Sequence, residues 1–231
     1  MLSVRNLTKR YDNQLAVADL TFELAPGEII SVLGPNGAGK TTTFLMLCGL
    51  VRPTAGTILW NGSAIGAQRG RTIALIPETP EVYGALTVWE HVVFVARSCN
   101  VPGGWETRAE ELLERFHLSD QRDTVGARLS KGMQQKTLIV ATLIADPPVL
   151  LFDEPMIGLD PAGQRELREV IADLARGGKT VAVSTHMLDA ARAMSERTLI
   201  LKAGSKIFDG SLAGLAGEGE DLESAFLRIT A

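Results

Sequence analysis

Cysteine is nearly missing from this chain of 231 residues: only Cys48 and Cys99 occur, and their separation matches no metal-site spacing. With no secretory context beside them they read as reduced thiols rather than a disulfide, Cys48 on a buried helix position. An excess of positive charge is also lacking, because 23 Lys and Arg face 27 Asp and Glu for a formal net charge of −4. A nucleic-acid partner needs clustered cations that release counterions from phosphates, so this balance argues for no nucleic acid. Long apolar runs are absent as well. No window approaches the ~18–20 residues of a membrane span, and Met1 leads into "LSVRNLTKRY" without the apolar core of a signal peptide. The chain reads as soluble and as staying on the side of the membrane where it is made. Internal repeats and low-complexity segments are not seen either. What is present is a 45% hydrophobic content, enough for one large domain or a core domain carrying an inserted subdomain.

Short β-like runs recur at "LSVRNL", "AVADLTFEL", "EIISVL", "GTILWNG", "RTIALI", "PVLLFD", "KTVAVST", "RTLILKAG" and "KIFDG". The first, second, fourth and ninth alternate polar with apolar residues, as half-exposed antiparallel strands do. The runs "IISVL", "VLLF" and "VAVS" are solidly apolar and fit parallel strands covered on both faces. Between Leu86 and about Asp146 the pattern turns helical, with no convincing strand. Thr87 and Glu90 have capping-box spacing ahead of Val92, Val93 and Val95, and "WETRAEELLERFHL" gathers Leu112, Leu113 and Phe116 on one face after "VPGG". Another amphipathic helix is expected from Pro161 to Ala175, closed by Gly177 and Gly178, and a Gly-rich link leads to a short terminal helix in "AGEGEDLESAFLRIT". The expected class is α/β, a core with a mainly parallel sheet, an N-terminal antiparallel β subdomain and an inserted α-helical subdomain. Within a single domain of 1–231, core and β annex would take 1–85 and 147–215, the helices 86–146 and the tail 216–231.

"EIISVLGPNGAGKTTTFLMLCGL" holds Gly34, Gly39, Lys40 and Thr41 in G-x-x-x-x-G-K-[ST] order, after an apolar strand and before a helical run. Glycines let the loop turn backbone N–H groups onto phosphate oxygens, and the helix adds its positive N-terminal end. Lys40 should reach the β- and γ-phosphates, and the Thr41 hydroxyl is a natural Mg²⁺ ligand. "PVLLFDEP" ends a buried strand in Asp153 and Glu154. Such a strand brings an Asp to Mg²⁺, usually through water, and the next acid can polarise an attacking water, which makes Glu154 the candidate base. Taken alone, acids also end buried strands for ordinary structural reasons. His186 follows the strand "AVST" and is either a satisfied structural histidine or a contact to the γ-phosphate that reports its presence.

The motifs "GPNGAGKTT", "ARLSKGMQQK", "VLLFDEP", "IGLDP" and "STH", in this order, resemble the nucleotide-binding subunit of an ABC transporter over essentially the whole chain. Composition and periodicity alone reach only a P-loop NTPase. The resemblance implies ATP and Mg²⁺ as ligands, with Gly34, Pro35, Asn36, Gly37, Ala38, Gly39, Lys40, Thr41 and Thr42 around the phosphates and Glu154 and His186 as catalytic residues. Tyr11 matches the aromatic that stacks on adenine; its bland reading is a surface tyrosine beside a turn. "LSKGMQQK" departs twice from the family's Leu-Ser-Gly-Gly-Gln, with Lys131 for the first Gly and Met133 for the Gln, while Ser130 and Gly132 are kept. In the family this signature serves the ATP of the opposite subunit, so the implied partners are a second copy or a paralogous cassette. Asp160 matches the loop that crosses that interface, or else simply caps the helix at Pro161.

A separate transmembrane permease subunit must supply the spans, which places the chain peripherally on the cytoplasmic face of the cell membrane. "LSKGM" and "DLESAFLRIT" resemble exporter cassettes. The competing reading, a non-transport ABC ATPase acting on nucleic acid or ribosomes, lacks the expected tandem cassettes or long coiled coil. A GTPase or small-molecule kinase would explain neither "LSKGM" nor "STH", and no N-K-x-D motif occurs. In the family pattern the residue at Glu78, held between Pro77 and Pro80, is usually Gln, on the loop that senses the membrane subunit. Glu keeps an oxygen for Mg²⁺ yet adds negative charge beside Asp153 and Glu154, leaving three outcomes: metal ligation, protonation or a displaced loop. Glu81, Val82, Tyr83 and Trp89 fall where a cassette receives its membrane partner, although core packing equally explains Val82 and Trp89.

Overall fold

The computed structural model describes residues 1–66, 69–216 and 220–230. Its strands are β1 (Leu2–Tyr11), β2 (Gln14–Leu24), β3 (Ile29–Leu33), β4 (Ala55–Trp60), β5 (Ser63–Ala64), β6 (Ile73–Ile76), β7 (Val149–Asp153), β8 (Thr180–Thr185), β9 (Arg197–Lys202) and β10 (Ser205–Gly210). The helices are α1 (Lys40–Cys48), α2 (Arg69–Thr72), α3 (Val88–Ser98), α4 (Trp105–Arg115), α5 (Lys131–Ile144), α6 (Pro161–Arg176), α7 (Leu188–Met194) and α8 (Leu222–Thr230).

The two sequence styles of strand sort into two sheets with one exception, the alternating run "KIFDG", which as β10 joins the parallel-rich sheet as its antiparallel edge strand. β2-β1-β4-β5 form an antiparallel sheet, and β10-β9-β3-β8-β7-β6 form the second. In the second sheet β9, β3, β8, β7 and β6 run parallel and only β10 is reversed. β7 and β8 are buried at every residue, as strands covered on both faces are, their apolar runs "VLLF" and "VAV" flanked by buried Asp153, Thr180, Ser184 and Thr185. Parallel strands put their C-terminal ends on one edge, so the segments after β3, β7 and β8 meet there.

Three α-helices and two short 3₁₀ turns, Ser119–Gln121 and Gly126–Arg128, fill the 86–146 stretch, and among the described residues its one β feature is an isolated bridge between Thr87 and Val125. The Thr87–Glu90 capping box forms with both bonds in place. Val88, Val92, Ala109, Leu113, Phe116 and Ile139 of these helices share one core with Leu150, Phe152, Val181 and Val183 of the parallel sheet. The opposite sheet face, with Ile30, Val32, Leu151 and Ala182, packs instead with α1 and the antiparallel sheet. Neighbouring residues of one strand thus tie the two halves together, since successive side chains leave a strand on opposite faces.

The helix at Pro161 ends at Arg176 with Gly178 at φ +85°, as its Gly-Gly pair predicts. Cys48 corrects the sequence reading in part: it is the last residue of α1 but only half-buried. Burial still pushes its thiol pKa up, and both cysteines are free. The terminal helix forms as α8, whereas the glycine-rich link, at 217–219, lies outside the described residues.

Candidate functional site

A cavity of about 750 Å³ opens at the C-terminal edge of the parallel sheet. Asn36, Ala38, Gly39, Lys40, Thr41 and Thr42 form its floor, Glu78, Glu154 and His186 its far wall, and Tyr11, Gln14, Leu15, Ala16 and Ala203 its outer end. The loop after β3 reaches α1 through Gly39, whose φ of +99° favours glycine and whose missing Cβ would lie 2.7 Å from the Ala16 carbonyl oxygen. No side chain caps α1, so its first-turn N–H groups are available to an anion.

Lys40 is 7% exposed and donates to the carbonyl oxygens of Gly34 at 2.7 Å and Pro35 at 3.3 Å. Its Nζ also lies 3.6 Å from Glu154 Oε1. On the other side the same carboxylate oxygen is 3.0 Å from His186 Nδ1, so cation, carboxylate and imidazole form one line across the sheet edge. A charge buried like that of Glu154 persists only with such partners. Glu154 also has φ +46°, a left-handed backbone uncommon for a residue with a side chain. Its N–H is held by Ser184, through Oγ at 2.9 Å and the carbonyl oxygen at 3.2 Å.

Asp153 lies beneath this surface at 2% exposure, hydrogen-bonded to the Ser184 hydroxyl. Ser184 opens the "STH" motif, yet the motif reading gave a role only to His186; the available signal was a hydroxyl closing the apolar run "VAVS". The lining residues Gln14, Leu15, Ala16 and Ala203 were missed too, because they come from β2 and the β9–β10 turn, far from any motif.

The structure brings Tyr11, Asn36 to Thr42 of the phosphate loop, Glu78, Glu154 and His186 to one cavity, whereas Gly34 and Pro35 do not line it but accept from Lys40 through their carbonyl oxygens. Tyr11 is 43% exposed with Lys9 Nζ 4.7 Å from its ring centre. Ser130, Gly132 and Asp160 do not line the cavity. Ser130 caps α5 by accepting from the Met133 N–H at 3.3 Å, and a Cβ on Gly132 would stand 2.8 Å from the Gly158 carbonyl oxygen. Asp160 caps α6 through the Gly163 N–H at 3.3 Å, which realises its helix-cap reading. Trp89 packs against the helical core, with Arg122 stacked 4.0 Å over its ring, whereas Tyr83 is 59% exposed and edge-on to Phe94.

The arrangement can hold a polyphosphate against one helix start with a lysine and present a buried carboxylate to water beside it. Among the described residues no three of His, Cys, Asp and Glu gather as a metal cage. Thr41 and Glu78 line the cavity and Asp153 lies buried beneath it, a sparse oxygen set whose chemistry suits a divalent ion that keeps waters and takes phosphate oxygens.

Comparison with known proteins agrees with this geometry. A family model described as ABC transporter matches residues 17–157. The lipopolysaccharide export system ATP-binding protein LptB of Haemophilus influenzae is 36% identical over 220 residues, covering 91% of this chain and 90% of that protein. The SkfA peptide export ATP-binding protein SkfE of Bacillus subtilis is 35% identical, covering 90% and 88%. A solved ATP-binding subunit of an ABC transporter superposes with a TM-score of 0.93 at 33% identity over 100% of both chains.

Proposed function

Since this chain belongs to the ABC transporter family as an ATP-binding, ATP-hydrolysing subunit, we propose that it drives export through a separate transmembrane permease. It would act peripherally at the cytoplasmic face of the membrane, paired with a second copy or a paralogous cassette. Among the described residues no helix is long and apolar enough to cross a membrane. Two of the relatives carry export in their names, and this supports the direction.

In this reading Tyr11 stacks on adenine, and residues 34–42 hold the phosphates, with Lys40 swinging from the Gly34 and Pro35 carbonyls to the β- and γ-phosphates. Mg²⁺, when bound, neutralises charge on the phosphate oxygens; Thr41, Asp153 through water, and Glu78 are the residues to hold it. Glu154 accepts a proton from the attacking water, and His186, 3.0 Å from Glu154, contacts the γ-phosphate. Ser130 and Gly132 at the head of α5, with Asp160, serve the site of the opposite cassette. The division into core and β annex (1–85, 147–215), helical insert (86–146) and tail (216–231) follows the same family logic. Exposed Tyr83, on the loop from Glu78, faces the permease.

The observation that carries the reading is the Lys40–Glu154–His186 line at the mouth of the phosphate loop. Isolation of the tagged chain from its native membrane tests it, with the bound partner identified. A partner with several apolar spans of about 20 residues is expected. Recovery with ribosomes or nucleic acid alone would sink the transport assignment.

A further inference from the structure

We propose that Ser184 is a positioning residue of the ATPase site, whose hydroxyl orients the Asp153 carboxylate and locks the left-handed backbone of Glu154. The inference rests on the roles proposed above for those two acids. β7 and β8 pair in parallel with Asp153 opposite Ser184, so the two side chains leave the sheet together. Ser184 is fully buried, and a hydroxyl there has one proton to give and lone pairs to receive. The proton goes to Asp153 Oδ1 and a lone pair takes the Glu154 N–H at 2.9 Å. A single side chain thus fixes the last residue of the neighbouring strand and the one after it, at the point where the backbone enters φ +46°.

The same sheet contains a hydroxyl for comparison. Ser31 on β3 is equally buried, but its partners are the Ala191 carbonyl oxygen at 3.4 Å and the Ser195 hydroxyl at 2.7 Å, near α7 and away from the cavity. Ser31 satisfies itself within the core. Ser184 spends both of its bonds on site residues. Its position two residues before His186 on the same chain segment means that β8 supports the metal acid, the base and the histidine at once. Without the hydroxyl, Asp153 Oδ1 would lose its buried donor, and Glu154 would keep only the longer 3.2 Å contact to the Ser184 carbonyl. Partners that orient metal-holding carboxylates commonly change metal affinity or activity about 10–100-fold.

The test compares Ser184→Ala, the near-isosteric Ser184→Cys, Ser31→Ala and Asp153→Asn in the full chain. Mn²⁺ binding to the ATP complex is read by electron spin resonance, and turnover is read in the complex isolated with the membrane partner. Ser184→Ala is expected to keep ATP affinity in EDTA within about twofold, raise half-saturating Mn²⁺ about tenfold, and lower kcat about tenfold with KM within about threefold. Ser184→Cys should fall between, which keeps the test alive should the alanine variant fold poorly, and Ser31→Ala should leave metal affinity and kcat unchanged. Unaltered Mn²⁺ affinity and kcat in both Ser184 variants, with Asp153→Asn strongly impaired, would overturn the positioning role alone. Losses in Ser31→Ala equal to those in Ser184→Ala would reduce it to core packing and likewise overturn it. Unaltered Mn²⁺ affinity in Asp153→Asn would remove the metal role of Asp153 and this inference with it.

Discussion

Two helix starts in this molecule follow short motifs of glycine and hydroxyl residues, and they are finished in opposite ways. α1 begins at Gly39 with no side-chain cap, at the floor of a cavity and beside a buried lysine. α5 begins at Ser130 with its cap already made to Met133 N–H, out on an exposed surface. An uncapped start leaves N–H groups that an anion can satisfy; a self-capped one is stable without a ligand. The first is built to bind within its own chain. The second has to give up or share its internal bond to serve a phosphate.

The largest effect should come from the acid beside α1. Glu154→Gln is expected to lower kcat roughly 100- to 1,000-fold while ATP binding persists, because an amide cannot accept the proton of the attacking water. Near-normal single-turnover hydrolysis would exclude it as the base. Lys40→Ala should weaken ATP binding about 10- to 100-fold by calorimetry, through loss of a charge-assisted contact to phosphate. The same titration on Ser130→Ala sharpens the contrast. ATP affinity of the single chain should stay within about twofold, stability should fall by about 1 kcal/mol for the lost cap, and ATPase of the paired complex should fall about tenfold. A loss of single-chain affinity equal to that of Lys40→Ala would collapse the distinction between the two helix starts.

The smallest expected change lies outside both regions and sets the baseline for them. At the sheet edge burial alone would raise the Asp209 pKa, but hydrogen bonds from Arg197 and Lys206 outweigh it and hold the carboxyl below its ordinary value. A folded-state pKa lowered in this way adds stability above the ordinary carboxylate value of about 4, and that stability is lost as pH falls through the lowered folded value. Asp209→Asn should therefore cost about 1 kcal/mol at pH 7, with the difference from the parent shrinking below about pH 4. A gap independent of pH in denaturant titrations would contradict this account. ATP turnover at neutral pH should be unchanged.

Much of the α/β order was legible because its signals are local. Alternating β1 and β2 against the apolar runs of β7 and β8 predicts the sheets these four join, though not that of alternating β10, and the capping box at Thr87 predicts a helix start that the fold contains. The phosphate loop was legible for the same reason: its glycines, lysine and threonines are contiguous. Trp89 was not resolved by sequence, since an aromatic on a helix faces either a core or a partner until Arg122 and the other helices are in place. Gln135 carries no visible role in "LSKGMQQK", yet its buried amide donates to the Pro77 carbonyl oxygen at 3.3 Å and joins α5 to the loop of Glu78.

The chain's own order of residues determined the elements, the phosphate loop and the pair of acids, because helix periodicity, strand alternation and glycine turns act within a few residues. Tertiary structure decided what those acids touch. Lys40 and Glu154 are 114 positions apart, Ser184 lies 31 beyond Asp153, and only the parallel register sets them within bonding distance. No local rule encodes such a register: it follows from burying both faces of β7 and β8 at once, one against the helices and one against α1 and the antiparallel sheet.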